Sequence, residues 1–273
     1  MRRWTRIFVL LAVVSLVGIS CDNFKQISTQ VTVDTGNQLS LSFDINATIS
    51  QALGNTVIYV DPSGNKYTYS QFIKKFSNFC NLPIPVKFSI MAPIPLIPVP
   101  SSLFDQIKPY CGGMDGGCQK LYGVNISRIE YTFSNMNIPV TIAKSLLVIT
   151  DSSSTQNITS WQDANVNAVA ISFIPEISSA TPTNQVIEGE FAPGGEDAAS
   201  DIIRSFNFSF GIALPVSVGD GGSGDGGAGD VKYSLPGFNI TIDSTNPANC
   251  QFPTGIITIL IRVWMTFQVA PLA

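Results

Sequence analysis

Asp220, Asp225 and Asp230 recur at a five-residue spacing in a run, 219–230, built almost wholly of glycine and aspartate. Three carboxylates on so pliant a backbone could offer hard oxygen ligands to calcium. The spacing matches neither the EF-hand loop nor the glycine-rich calcium repeats, and aspartate also keeps a glycine linker solvated. The expectation is a flexible loop without metal, with these three aspartates as weak calcium candidates. Glu188 and Glu190 would share one face of an extended strand, and a carboxylate pair can hydrolyse a glycosidic bond. Like charges at an exposed strand edge explain them equally well.

The chain contains no histidine. That removes Ser-His-Asp and Cys-His catalysis, histidine-ligated zinc, and the side chain most used as a general base near neutral pH. The sequence also lacks a G-x-S-x-G elbow, a P-loop and a C-x-x-C motif. The chain reads as a non-enzyme with no catalytic residues and no cofactor.

Cys80, Cys111, Cys118 and Cys250 form an even set once Cys21 is put aside, as expected of an oxidising compartment. Four cysteines allow three pairings. The glycine-rich stretch from Cys111 to Cys118 could close on itself. Cys80 would then pair with Cys250, clipping an early helix to the loop before the last strand, and this is the favoured arrangement.

The N-terminus supplies an address. Met1 to Arg6 is basic, Ile7 to Ile19 is apolar, and Gly18-Ile19-Ser20-Cys21 follows. The apolar stretch is shorter than the roughly 20 residues a membrane-spanning helix needs. Residues 1–21 resemble the signal peptide of bacterial lipoproteins. The resemblance implies that Cys21 is lipidated and becomes the mature N-terminus, anchored to a membrane of the cell envelope. Gly18 and Ser20 equally suit ordinary signal peptidase, which would leave Cys21 a plain thiol on a secreted protein. Either way residues 1–20 are a leader, and 21–26 form a tether.

Composition restricts the rest. Hydrophobic residues make up 45% and charged residues only 12%, with 22 Gly and 17 Pro. Such a chain favours strands and tight turns over long surface helices. The formal net charge is -4 with three arginines of the leader included, so the mature chain is more acidic still. It lacks the basic face that nucleic acid requires.

The elements that would position any site are mostly strands. Phe206, Phe208, Phe210, Ile212, Leu214, Val216 and Val218 alternate with smaller or polar residues. After the glycine–aspartate run, 231–235 resumes the pattern, so 205–243 reads as an amphipathic β-hairpin with a bulge near Pro236-Gly237. Ile257 to Val269 alternates as one long strand. Ile27–Val33 and Leu39–Ile49 suggest a second hairpin around Thr35-Gly36-Asn37-Gln38. Further strands are expected over 57–60, 124–133, 138–150, 168–174 and 186–191. A helix is expected over 68–79, with Thr68 and Gln71 at capping-box spacing and Phe72, Phe76 and Phe79 as a core stripe. Short helical turns are expected over 102–110 and 196–204. The Pro-rich, almost wholly apolar 83–100 should run as an edge or loop, packed over the core or left as a contact surface.

The fold class expected is all-β with one or two short helices. The architecture expected is a two-layer β-sandwich of Greek-key or immunoglobulin-like topology, a single domain over 27–273. The function expected is that of an exported, lipid-anchored structural or binding module of the envelope, with a protein or glycan partner. The alternative is a membrane-interacting or pore-forming protein using the hairpin 205–243, whose 14 residues from Ser205 to Val218 exceed the roughly 9–11 that a transmembrane strand needs.

Overall fold

The computed structural model describes residues 29–79, 82–92, 96–111, 121–134, 140–151, 168–215, 233–245 and 251–269. In chain order the first strands are β1 (Thr29–Asp34), β2 (Leu39–Asp44), β3 (Val57–Val60), β4 (Lys66–Thr68), β5 (Lys87–Ala92) and β6 (Ile97–Pro98). Then come β7 (Leu121–Ser134), β8 (Thr141–Ile142), β9 (Ser145–Asp151), β10 (Ala168–Ile174) and β11 (Val186–Glu188). The last are β12 (Glu190–Phe191), β13 (Phe208–Pro215), β14 (Tyr233–Pro236), β15 (Phe238–Asp243) and β16 (Ile256–Val269). Helices are short: α1 (Ile45–Leu53), α2 (Tyr69–Lys75), α3 (Lys108–Cys111), α4 (Gly195–Ala198) and α5 (Ser200–Ile203), with a 3-10 turn at Ser101–Phe104.

Strand β16 sets the frame. Ile257, Ile259, Ile261, Val263, Met265, Phe267 and Val269 are all fully buried, while Arg262, Trp264 and Thr266 between them face outward, half-buried. The strict alternation puts one row into the core, as a pleated strand with a single covered face must. β16 pairs from Thr258 to Val269 with β7 on one side, and with β1 and β2 end to end on the other. β11 completes this first sheet beyond β7. A second sheet runs β12-β10-β9-β13-β14, with β6 also on β13, and a third runs β5-β15-β8.

The three sheets share one apolar core. Phe267 of β16 lies 6.0 Å from Phe206 and 6.2 Å from Phe104, while Phe43 of β2 lies 5.7 Å from Phe238 of β15. The protein is an all-β sandwich with a few short helices, as its composition and alternation imply. The two large sheets meet at one crossing strand. β11 pairs with β7 in the first sheet and β12 pairs with β10 in the second, with Gly189 between them. A Cβ on Gly189 would lie 2.8 Å from the Ser172 Oγ and 3.0 Å from the Tyr131 ring, so only glycine lets the strand cross there.

Several sequence expectations need correction. β1 and β2 do not form a hairpin with each other; they are one interrupted edge strand along β16. Four residues between Asp34 and Leu39 face two between Trp264 and Ile261, and Gly36 at φ +53 absorbs the excess. Residues 45–49 belong to helix α1. The Asp44 carboxylate accepts the Ala47 N–H at 2.7 Å and caps it. Ile45 and Ile49 are buried in either geometry, since a spacing of four fits both a strand face and a helix face. The capping box at Thr68 and Gln71 is present, yet α2 stops at Lys75 and Phe76 is already extended. Phe72 and Phe79 are buried as expected. Residues 141–151 break at Ala143 and Lys144, sending β8 and β9 to different sheets.

Candidate functional site

Most residues singled out in the sequence lie outside the described residues: Cys21, Cys80, Cys118, Cys250, Asp220, Asp225 and Asp230. Cys111 ends α3, its side chain also outside what is described, so both cysteine pairings stay beyond the described residues. Among the described residues no group of three or more metal-ligating side chains converges. No described helix is long and apolar enough to cross a membrane. Glu188 and Glu190 are both exposed, but they do not share a strand. Gly189 places them in different sheets, where Glu188 sits opposite Glu130 and Glu190 pairs with Lys144 at 3.0 Å. The hairpin expected over 205–243 forms only in part: Ala213, Leu214 and Pro215 pair with Pro236, Ser234 and Tyr233, while Phe238–Asp243 turns away after Gly237 to pair with β5 and β8 in the third sheet. Its apolar row, from Phe206 to Ile212, is buried in the common core.

A surface the sequence marked only in part is the groove between β3 and β5, of about 580 Å³. One wall is the β3–β4 hairpin, and its turn is built by Asp61. That carboxylate accepts the N–H groups of Ser63 and Asn65 at 2.9 and 2.8 Å, the Asn65 amide at 2.9 Å and the Tyr67 hydroxyl at 3.1 Å. The Asn65 side chain, ahead of the other donors, holds the carboxyl below its ordinary range. Beneath the hairpin Tyr59 packs edge-on against Phe72 at 5.3 Å and Phe76 at 5.4 Å. This aromatic floor fixes β3 and leaves Val57 and Val60 exposed.

The other wall is the run from Ile84 to Ile90. The Val86 N–H donates to the Ser244 Oγ at 2.7 Å, and the Ser244 N–H returns to the Val86 carbonyl at 2.9 Å. The Ser89 and Thr241 hydroxyls meet at 2.8 Å, and Lys87 bridges to Asp243 at 2.7 Å. Lys87 and the Thr245 donors hold the Asp243 carboxyl down to about 2. Ile84 stands exposed at the rim. Among the described residues β3 pairs only with β4 and β5 only with β15, so each presents an open backbone edge. The arrangement can receive an extended chain, which would find backbone hydrogen-bonding groups on both walls and apolar contacts at the rim. Ile84 falls within the apolar Pro-rich stretch that the sequence flags. Val57 and Val60 gave no comparable signal, because a four-residue strand does not tell which face will be covered.

A second polar constellation lies on the outer face of the first sheet. The Trp264 ring has the Arg262 guanidinium 4.5 Å from its centroid and that of Arg128 at 5.1 Å. Arg262 donates through Nε to Asp34 at 2.9 Å and through Nη2 to the other carboxylate oxygen, while Arg128 pairs with Glu130. The bond from Arg262, more than its charge, holds the Asp34 carboxyl below its usual range. Each cation is matched by an anion, so the cluster ties three strands together and leaves no net charge for a ligand. Opposite Trp264 the ladder bulges at Ser127, whose hydroxyl donates to the Trp264 carbonyl at 3.3 Å.

No family model and no curated protein matches the chain. Among solved structures, a chain of Desmodium yellow mottle tymovirus aligns over 90% of this chain and 84% of its own, at 7% identity and a TM-score of 0.23. The VP2 protein of infectious bursal disease virus, in subviral particle form, aligns over 90% of this chain and 43% of its own, at 10% identity and a TM-score of 0.20. Likenesses this distant carry no argument about role.

Proposed function

We propose that the chain is a non-enzymatic, exported module of a cell envelope, held at a membrane through Cys21, that binds an extended polypeptide along the β3–β5 groove. The observation that carries the binding role is the pair of open strand edges facing one apolar-rimmed groove. Strand addition suits such a site, because main-chain bonds supply affinity and the alternate side chains supply selection. The basic-then-apolar leader ending at Cys21 supports export and anchoring.

Two measurements test the parts separately. Labelling with a palmitate analogue is expected to mark the wild type and not Cys21→Ala; equal labelling of both removes the anchor. An extended probe peptide of alternating apolar and acidic residues is expected to bind the wild type and to lose affinity for Val60→Glu. Unchanged affinity in that variant removes the groove. The membrane-inserting alternative requires the row Phe206–Ile212 to leave the core, and dye release from liposomes by leaderless protein is the measurement that would favour it.

A further inference from the structure

Five large apolar side chains are exposed among the described residues, and four of them belong to strand edges or their groove. Val57, Val60 and Ile84, at 46%, 44% and 48%, line the β3–β5 groove, and Val186, at 61%, stands on β11. We infer that the β11 edge of one copy of this chain docks into the β3–β5 groove of the next, joining copies head to tail. The inference rests on the reading of the groove as a strand-binding site and names its occupant.

Three observations carry it. β11 ends the first sheet, with β7 as its one strand partner among the described residues, so its outer backbone edge is open like those of β3 and β5. The edge is also prepared in advance. The Asn184 N–H donates to the Phe133 carbonyl at 2.8 Å and the Ser134 hydroxyl to the Asn184 side chain at 2.9 Å, pinning the approach to β11 before any partner arrives.

The charges are complementary. Within 54–92 the sequence places Lys66, Lys74, Lys75 and Lys87 against Asp61, and with Lys87 matched by Asp243 the region still carries an excess of positive charge, although the whole chain is at -4. Lys87 lines the groove and Lys66 sits opposite Val60 in the β3–β4 ladder. On the docking edge Glu188 is exposed beside Val186. Opposite charge at the two surfaces selects this pairing over groove with groove or edge with edge.

Two different surfaces make a heterologous contact, which closes into a ring or runs on as an open chain. A three-residue strand buries far less than the roughly 1,200–2,000 Å² of a standard interface. Association in dilute solution is therefore weak, and holding copies on one surface raises their effective concentration.

The test tethers the full mature chain by its N-terminus to neutral phosphatidylcholine vesicles, with a photocrosslinking phenylalanine derivative in place of Val60. The expected product is a ladder of crosslinked chains whose junction peptides contain 184–191. Val186→Lys, with Val186→Arg as a second variant at that exposed position, is expected to abolish it. Mixing crosslinker chains that carry Val186→Lys with unmodified chains that carry Val57→Glu should restore crosslinked pairs but no ladder, since each partner then offers one usable surface. Monomers alone, or junctions mapping to another segment, overturn the inference. If copies fail to crosslink while an added acidic, apolar extended peptide does so at position 60, self-docking is wrong and the groove reading stands. If neither reacts, both fail.

Discussion

The two large sheets answer the same solvent in different ways. In the first, β16 alternates a buried apolar residue with an outward one, and the outward row carries hydroxyl pairs such as Ser42–Thr258 and Thr32–Thr266 alongside the Arg–Trp–Arg cluster. In the second, β9 is buried on both faces from Ser145 to Thr150. β13 alternates as regularly as β16, yet Ser209, Gly211 and Ala213 between its large residues are buried too. Leu146, Val148, Ala170, Ala192 and Ala213 form a separate apolar cluster on that far face. A small residue between two large ones is therefore not the same signal as a polar one. The first sheet has one face to lose and the second has two.

Substitutions on equivalent outer positions test that difference. The largest effect is expected from Val148→Asp, which buries an unpaired charge and costs several kcal/mol, enough to consume most of the roughly 5–15 kcal/mol of a typical domain. Thr266→Asp on the outer face of the first sheet should shift a denaturation midpoint by no more than about 0.5 kcal/mol. Comparable losses in the two variants would dissolve the distinction. Ala213→Leu is next, overfilling the small-residue face at about 1–3 kcal/mol, whereas Thr258→Leu should be nearly silent in the same urea titration.

Acid sensitivity should follow the polar face. Asp34 is held below its ordinary value by Arg262, so its ion pair stabilises the fold above the unfolded carboxylate range and is lost as pH falls through the depressed value. Asp243 behaves likewise, over a window from about 4 down to about 2. Stability measured between pH 5 and 2 should fall less steeply in Asp34→Asn than in the wild type, while Ala213→Leu keeps the wild-type slope. A similarly small effect is expected for Thr266→Val, which removes the hydroxyl contacts with Thr32 and Ser127 and should cost about 0.2–0.5 kcal/mol by thermal melting.

The same contrast explains what could be read from the sequence. β16 and β10 were legible because alternation, or an unbroken apolar run between turn residues, has one structural solution. The capping box at Thr68 was legible because its chemistry is local and contained in four residues. The partner of β1 was not, since Thr35 and Gly36 look like a hairpin turn and only the distant β16 makes them a jog in one edge. Glu188 and Glu190 were separated by the packing of Gly189 against Ser172 and Tyr131, a tertiary fact. The groove was half-legible. Its apolar rim shows at Ile84, but an open edge is defined by the strand that is not beside it, and no local pattern encodes that.

The position of β16 sets the order in which the molecule can be completed. Thr32 meets Thr266 across 234 residues of chain, so the earliest strand of the first sheet is made long before its neighbour. At about 5–20 residues per second of synthesis, the interval is on the order of ten to fifty seconds. Throughout that time the apolar side chains of β1 and β2, and those of β7 once it is made, have no finished surface to cover them. A chain ended before Ile256 would lack the strand that joins β1 and β2 to β7.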